Sequence, residues 1–332
     1  MRLLFFISIF TLCTSNTFLQ STGKIDTKSN PTTLATVTVT GVQPGPGMWK
    51  VSKAGHVMWI IGTLSPLPKN MVWQTQGIND ALSRAQEFLE PPEAILNIGF
   101  FRRLILLPSI YKAAKNPGDV KLAQVIPKDL YKRWQKLWIK YGDGNSSIEK
   151  FRPSFVAMIL YDDALEKSGL VDKDMTKSMA RMADKAGVKI YQPTYRIKVK
   201  NIKQYLTDLA SRNESDVECL EKTLDLVQND IPNLQSRAND WATGEIKALL
   251  SSNITDRSAC NELNMSPELV KKYNLGDTPK ILKKIWLEAA VAAIRNNKTT
   301  VSALPITNLL DPNGYLKTLE NSGYAVTPPP LD

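Results

Sequence analysis

The chain reads as an α/β (α+β) protein with a central mixed β-sheet flanked by helices, on three observations. Residues 48–68, MWKVSKAGHVMWIIGTLSPLP, hold two short apolar runs on either side of Lys53-Ala54-Gly55, the pattern of a β-hairpin. The second run, Val57-Met58-Trp59-Ile60-Ile61, is continuously apolar and rich in β-branched and aromatic side chains, as suits a central strand covered on both faces. Further along, helical periodicity gives way to short strands, at residues 174–186 followed by Gly187 and a strand at 188–191, and at 281–294 followed by a strand at 299–304. A Gly at the carboxyl end of a buried strand, here Gly62, is expected to let the backbone turn into a cleft, where open α/β sheets place their chemistry.

The amino terminus has Arg2, then ten apolar or small residues from Leu3 to Leu12, then Thr14-Ser15-Asn16. This is the composition of a secretory signal peptide, assigned to residues 1–20, and it falls short of the roughly 20 apolar residues that span a bilayer. Residues 21–47 form a Thr-, Ser-, Pro- and Gly-rich flexible leader, within which Thr36-Val37-Thr38-Val39-Thr40 alternates as an edge strand would. No later stretch is long and uncharged enough to cross a membrane; residues 95–110 are interrupted by Arg102-Arg103. Export places the mature chain in the bacterial periplasm or outside the cell. There only Cys219 and Cys260 remain, and a disulfide between them is preferred over two buried thiols. The net charge of +10 is not gathered into a nucleic-acid motif, so it favours weak attraction to anionic lipid or polysaccharide surfaces.

Taken in order, residues 75–88 place Ile78, Leu82, Ala85 and Phe88 on one helical side, and Pro91-Pro92 stops what precedes it. Residues 127–141 form the clearest amphipathic helix, with Leu130, Trp134, Leu137 and Tyr141 on one face and lysines on the other. Such a helix either packs its tryptophans into a core, the favoured reading, or lies on a membrane surface. Helices follow at 153–165 and 174–186, the second with Met175, Met179 and Met182 as core filler. Long helices cover 202–250, where Trp241 is expected to pack beneath a helix start capped by Thr243. Residues 309–316 open another helix, and Gly323-Tyr324-Ala325-Val326 closes the chain as a strand.

Trp49-Lys50-Val51, the apolar strand, Gly62-Thr63-Leu64-Ser65, Asp240-Trp241-Ala242-Thr243-Gly244-Glu245 and the closing Gly-Tyr-x-Val strand together resemble the TraB/GumN family, which is similar to the Tiki metal-dependent proteases. The resemblance covers residues 48–332 as one TraB/GumN-like domain and implies a TraB/Tiki-like sheet. It also implies a Gly-x-x-His after each of two strands, an acidic residue facing the cleft, a Leu-Glu-Thr and an Arg-Asn pair. In this chain Ser65 stands in the first histidine position and Asn308 in the second, within Pro305-Ile306-Thr307-Asn308. Glu90 lies near the acidic position, beside Pro91; Gln192 replaces the glutamate, and Leu282-Lys283-Lys284 occupies the Arg-Asn region.

The whole chain holds one histidine, His56, expected as an exposed turn residue at the far end of the strand from the cleft. No His-dependent triad, zinc pair or Cys-His couple can be built at the carboxyl ends of the strands, and there is no phosphate loop or dinucleotide fingerprint. The expectation is therefore an exported, catalytically silent family member with no metal or other cofactor. It would bind a small molecule, polysaccharide or protein in a vestigial cleft of Gly62, Ser65, Glu90, Gln192 and Asn308. The alternative is a metal-assisted or carboxylate-dependent hydrolase or protease.

Overall fold

A computed structural model describes residues 45–329, apart from 173, 212, 252–259 and 261–266. The assignments of a signal peptide, a leader and an edge strand at Thr36 to Thr40 lie outside the described residues.

Strands β1 (Met48–Lys53) and β2 (His56–Thr63) form the expected antiparallel hairpin, with Lys53 opposite His56. Only Ala54 and Gly55 lie between them, and both have positive φ (51° and 78°), the twist a two-residue hairpin turn requires. After β3 (Leu67–Pro68) comes α1 (Gln76–Leu82), which is shorter than the periodicity suggests. Phe88 belongs instead to β4 (Glu87–Leu89). The apolar spacing carries across the turn that follows α1, so Phe88 is buried as predicted but from a strand.

The chain then runs through β5 (Glu93–Leu96), α2 (Phe100–Ala114), α3 (Leu122–Val125), α4 (Lys128–Tyr141) and α5 (Pro153–Lys167). Next are β6 (Leu170–Val171), α6 (Met175–Lys185), β7 (Lys189–Tyr191), β8 (Thr194–Ile197), α7 (Ile202–Ala210) and α8 (Asn213–Asn229). The last part comprises α9 (Ile231–Thr243), α10 (Ile246–Ser251), α11 (Pro267–Tyr273), α12 (Thr278–Asn296), β9 (Thr299–Pro305), α13 (Ile306–Leu310), α14 (Tyr315–Asn321) and β10 (Ala325–Thr327).

The central sheet has six strands in the order β10-β1-β2-β9-β4-β7 and is mixed: β10, β1 and β2 pair antiparallel, while β2, β9, β4 and β7 run parallel. Interior position explains why consecutive residues Ile60 and Ile61 of β2 are both buried, since helices cover both faces. Strand β7, at the sheet's edge, is exposed along its length, and Lys189 on it discourages pairing with another chain.

Two further apolar clusters flank the sheet. One joins α3, α4, α5 and α8, and buries Leu130, Trp134, Leu137 and Tyr141, the predicted face of α4. It also contains the Cys219–Cys260 disulfide. The other joins β5, β8, α7 and α12. Among the described residues no helix is long and apolar enough to cross a membrane.

Candidate functional site

The parallel arrangement of β2, β9, β4 and β7 brings four of the five predicted positions to one edge of the sheet. Ser65 follows β2 and Asn308 follows β9, on adjacent strands in which Thr63 lies opposite Pro305. Glu90 and Gln192 follow β4 and β7, whose last residues Leu89 and Tyr191 are paired. The backbone N–H of Glu90 donates to the carbonyl of Tyr191 at 2.9 Å, so these two chain ends remain tied together beyond the strands.

Gly62 has a different role from the expected turn. It is still within β2, opposite Leu304, and its φ is not in the left-handed region. A Cβ there would lie 2.3 Å from Ile306 Cδ1 and 3.2 Å from the Trp49 ring, so glycine is required for close packing of α13 and β1 against the strand. Its carbonyl accepts a 2.7 Å hydrogen bond from buried Trp241 Nε1. This bond, which sequence reading missed, couples the Trp-x-x-Gly segment to the Gly-x-x-Ser segment. Thr243 is at the end of α9 rather than a helix start: its hydroxyl donates to the carbonyls of Asn239 and Asp240, and Gly244 (φ 78°) closes the helix.

Ser65 is exposed, and its hydroxyl donates a hydrogen bond to Asp172 Oδ1. Asp172 lies between β6 and α6 and was not singled out in the sequence, because nothing local marks a carboxylate in a short connection. Asp174, two residues on, caps α6 by accepting from the Lys177 N–H at 3.1 Å, a role its position before the methionine stripe does signal. Asn308 is buried within α13 (6% exposed), and its carbonyl is so close to Gly314 that a Cβ there would be 2.6 Å away. Gln192 is exposed, and its backbone carbonyl accepts from Thr194 Oγ1 at 3.2 Å.

Glu90 is the one carboxylate among the predicted positions. Burial is the main cause that raises its pKa above the usual range, with the charges of Asp174 and Glu93 adding to it. His56 lies at the opposite end of β2, as expected. It is half-buried rather than an exposed turn residue, because its Nδ1 is 2.6 Å from the Asn297 carbonyl that leads into β9.

A hydroxyl, two amides and a single carboxyl are a poor donor set for the metal that the family resemblance implies, since neutral oxygens bind a borderline cation weakly. Among the described residues no three His, Cys, Asp or Glu side chains gather in a way that would hold a metal ion. What the edge offers chemically is hydrogen bonding, and Ser65 with Asp172 forms a donor–carboxylate pair there.

The family model described as TraB/PrgY/gumN family matches residues 47–328. No curated protein and no solved structure matches the chain.

Proposed function

The chain belongs to the TraB/PrgY/gumN family, and from that premise we propose that it is an exported, catalytically silent member acting by binding. The observation that carries the reading is the character of the sheet edge. Four parallel strands deliver Ser65, Glu90, Gln192 and Asn308 to it, while the chain's one histidine sits at the other end of β2. The Trp241 to Gly62 hydrogen bond and the close packing of Ile306 on Gly62 hold β2 to α9 and α13, which supports the reading of a scaffold retained for binding. Three of the four side chains brought to that edge, Ser65, Gln192 and Asn308, are uncharged. Such an edge recognises a polar ligand or partner surface through neutral hydrogen bonds.

The second reading, a carboxylate-dependent hydrolase, is favoured by two specific features: the Ser65 hydroxyl hydrogen-bonded to Asp172, and the Glu90 carboxyl, whose pKa burial raises as suits a proton donor. Ser65→Ala and Asp172→Asn separate the two readings. With a silent scaffold, metal analysis of purified protein finds no stoichiometric divalent ion. Ser65→Ala then costs no more than one exposed hydrogen bond, about 1 kcal/mol of stability or binding. A hydrolytic activity on ester or peptide substrates that falls by orders of magnitude in either folded variant overturns the silent reading in favour of the hydrolase.

A further inference from the structure

The parallel pairing of β5 with β8 brings two basic segments together at one end of that small sheet. Leu96 lies opposite Ile197, and the Asn97 N–H donates to the Ile197 carbonyl at 2.9 Å, so the connections into α2 and α7 leave side by side. Residues 94–118 and 192–207 contain no Asp or Glu. The first segment holds Arg102, Arg103, Lys112 and Lys115, and the second holds Arg196, Lys198, Lys200 and Lys203. Each alone is an ordinary basic stretch, but α2 packs against α7, so eight cationic residues share one region of the surface with no acidic residue from either segment. Arg196, Lys198, Lys200 and Lys203 are all exposed, and none of them pairs with a carboxylate among the described residues. The first carboxylate along α7, Asp208, is already engaged by Lys272 and Tyr273.

Apolar side chains accompany these charges. On α2, Ile105, Pro108 and Lys112 share one side at helical spacing and all three are exposed, Ile105 by 65%. Tyr111 is exposed beside them, with the Lys115 ammonium 4.9 Å from its ring centroid. Where α2 meets the start of α7, a hollow of about 290 Å³ is lined by Ile105, Leu106, Val199 and Ile202 together with Lys200 and Lys203. Its lining has no aromatic ring on which a sugar or a base could stack. A soluble polyanion would meet the lysines and leave Ile105 in water. A bilayer containing acidic lipid offers phosphates to the lysines and acyl chains to Ile105 at the same time. With 15 residues, α2 is shorter than the roughly 20 that span a bilayer, so the fitting arrangement is a helix lying along the interface.

We propose that the surface formed by α2 and the start of α7 docks on a membrane bearing anionic lipid, independently of the sheet edge and of the reading given to that edge. The test is cosedimentation of purified residues 21–332, which contain every described element and lack the apolar run at 3–12. The vesicles are phosphatidylcholine alone, or phosphatidylcholine mixed with phosphatidylglycerol. The expected result is stronger binding to the mixed vesicles, falling as salt is raised. Lys200→Gln and Lys203→Gln should each lower the partition constant about fivefold, the effect of one cation at an acidic surface. Ile105→Ser, at an exposed position where folding is not at risk, should lower it about tenfold. Lys132→Gln with Lys136→Gln removes the same charge from the exposed side of α4, and should weaken binding far less than the Lys200 and Lys203 pair. Equal binding to the two kinds of vesicle overturns the proposal. So does an α4 pair that weakens binding as much as the α7 pair, because net charge alone would then account for it. Binding that Ile105→Ser leaves unaltered assigns the surface to a soluble polyanion and overturns the proposal as well.

Discussion

The central sheet and the helical cluster of α3, α4, α5 and α8 are held together by different means. In the sheet, backbone pairing and close apolar packing carry the structure, and its buried hydroxyls are served locally: Ser302 Oγ donates to the Leu89 carbonyl at 2.7 Å, and Thr300 Oγ1 accepts from Asn297. In the helical cluster, specific side-chain links span distant segments. Arg152 pairs with Asp216 while both are buried, and the disulfide ties α8 to Cys260. A sheet has its own ladder of hydrogen bonds to fix neighbouring strands, whereas helices satisfy their backbones internally and need side chains to set their mutual positions. The difference predicts that the helical cluster is the more vulnerable to single deletions, and the sheet to added volume.

The largest expected effect breaks the ion pair. Asp216→Ala takes the Asp216 carboxylate away from the Arg152 guanidinium buried at the start of α5, and loss of about 3–5 kcal/mol is expected. Replacing both by apolar residues of similar volume should recover much of that loss. Urea denaturation of the single and double variants checks it; a single variant within 1 kcal/mol of the parent would mean that the helical cluster does not depend on this link.

Removing the disulfide comes next. Cys219 and Cys260 are 41 residues apart, and the loop-entropy account gives about 4 kcal/mol at most for that closure. The Cys219→Ser, Cys260→Ser variant should therefore unfold at lower denaturant concentration. If the sheet is as independent of such links as its packing suggests, backbone amide exchange in β2 and β9 should change less than in α8.

A smaller effect tests the sheet by the opposite operation. Gly62→Ala adds one methyl group against Ile306 Cδ1 and the Trp49 ring, and overpacking of this kind costs about 1–3 kcal/mol. Because Ile306 Cδ1 is the far end of a flexible side chain, Ile306→Val should relieve part of the cost. Additive losses in the double variant, measured by the same unfolding method, would show that the clash is with the backbone frame rather than with that methyl group.

How much of each region could be read in advance follows from the same contrast. The hairpin, the interior position of β2 and the buried face of α4 were legible because each rests on periodicity within one segment. The Cys219–Cys260 link was legible because no other partner remained once the signal peptide was set aside. Phe88 was assigned to a helix because an apolar spacing of three or four residues looks the same when it runs from α1 through a turn into β4. Gly62 was recognised as special for the wrong reason, since close packing by Ile306, which is 244 positions later, leaves no local trace. The gathering of Ser65, Glu90, Gln192 and Asn308 at one edge needs the parallel order β2-β9-β4-β7, which local pattern does not give. Asp172 was invisible by either route.

The smallest expected effect concerns Glu90 and asks whether the sheet edge tolerates charge. Its pKa is raised in the folded chain, chiefly by burial and further by Asp174 and Glu93, so the folded state holds this proton more tightly than the unfolded state does. For a carboxyl shifted in that direction, the unfolded chain binds fewer protons across the interval between the two pKa values, and stability falls as pH rises through it. The contribution is fully favourable below the unfolded value near 4.5 and is lost above the raised folded value. Glu90→Gln removes the titration. The variant and the parent should then differ little at pH 4, and the variant should gain on the parent as pH rises toward 7, by an amount that solvent screening of a half-exposed group keeps small. Urea unfolding at the two pH values measures this directly. A parent that gained stability relative to the variant between pH 4 and 7 would mean that the Glu90 carboxylate is stabilised where it stands, by a cation or a donor. That outcome would remove the proton-holding Glu90 on which the hydrolase reading draws, and it would also show an edge arranged to hold a negative charge rather than a neutral binding surface.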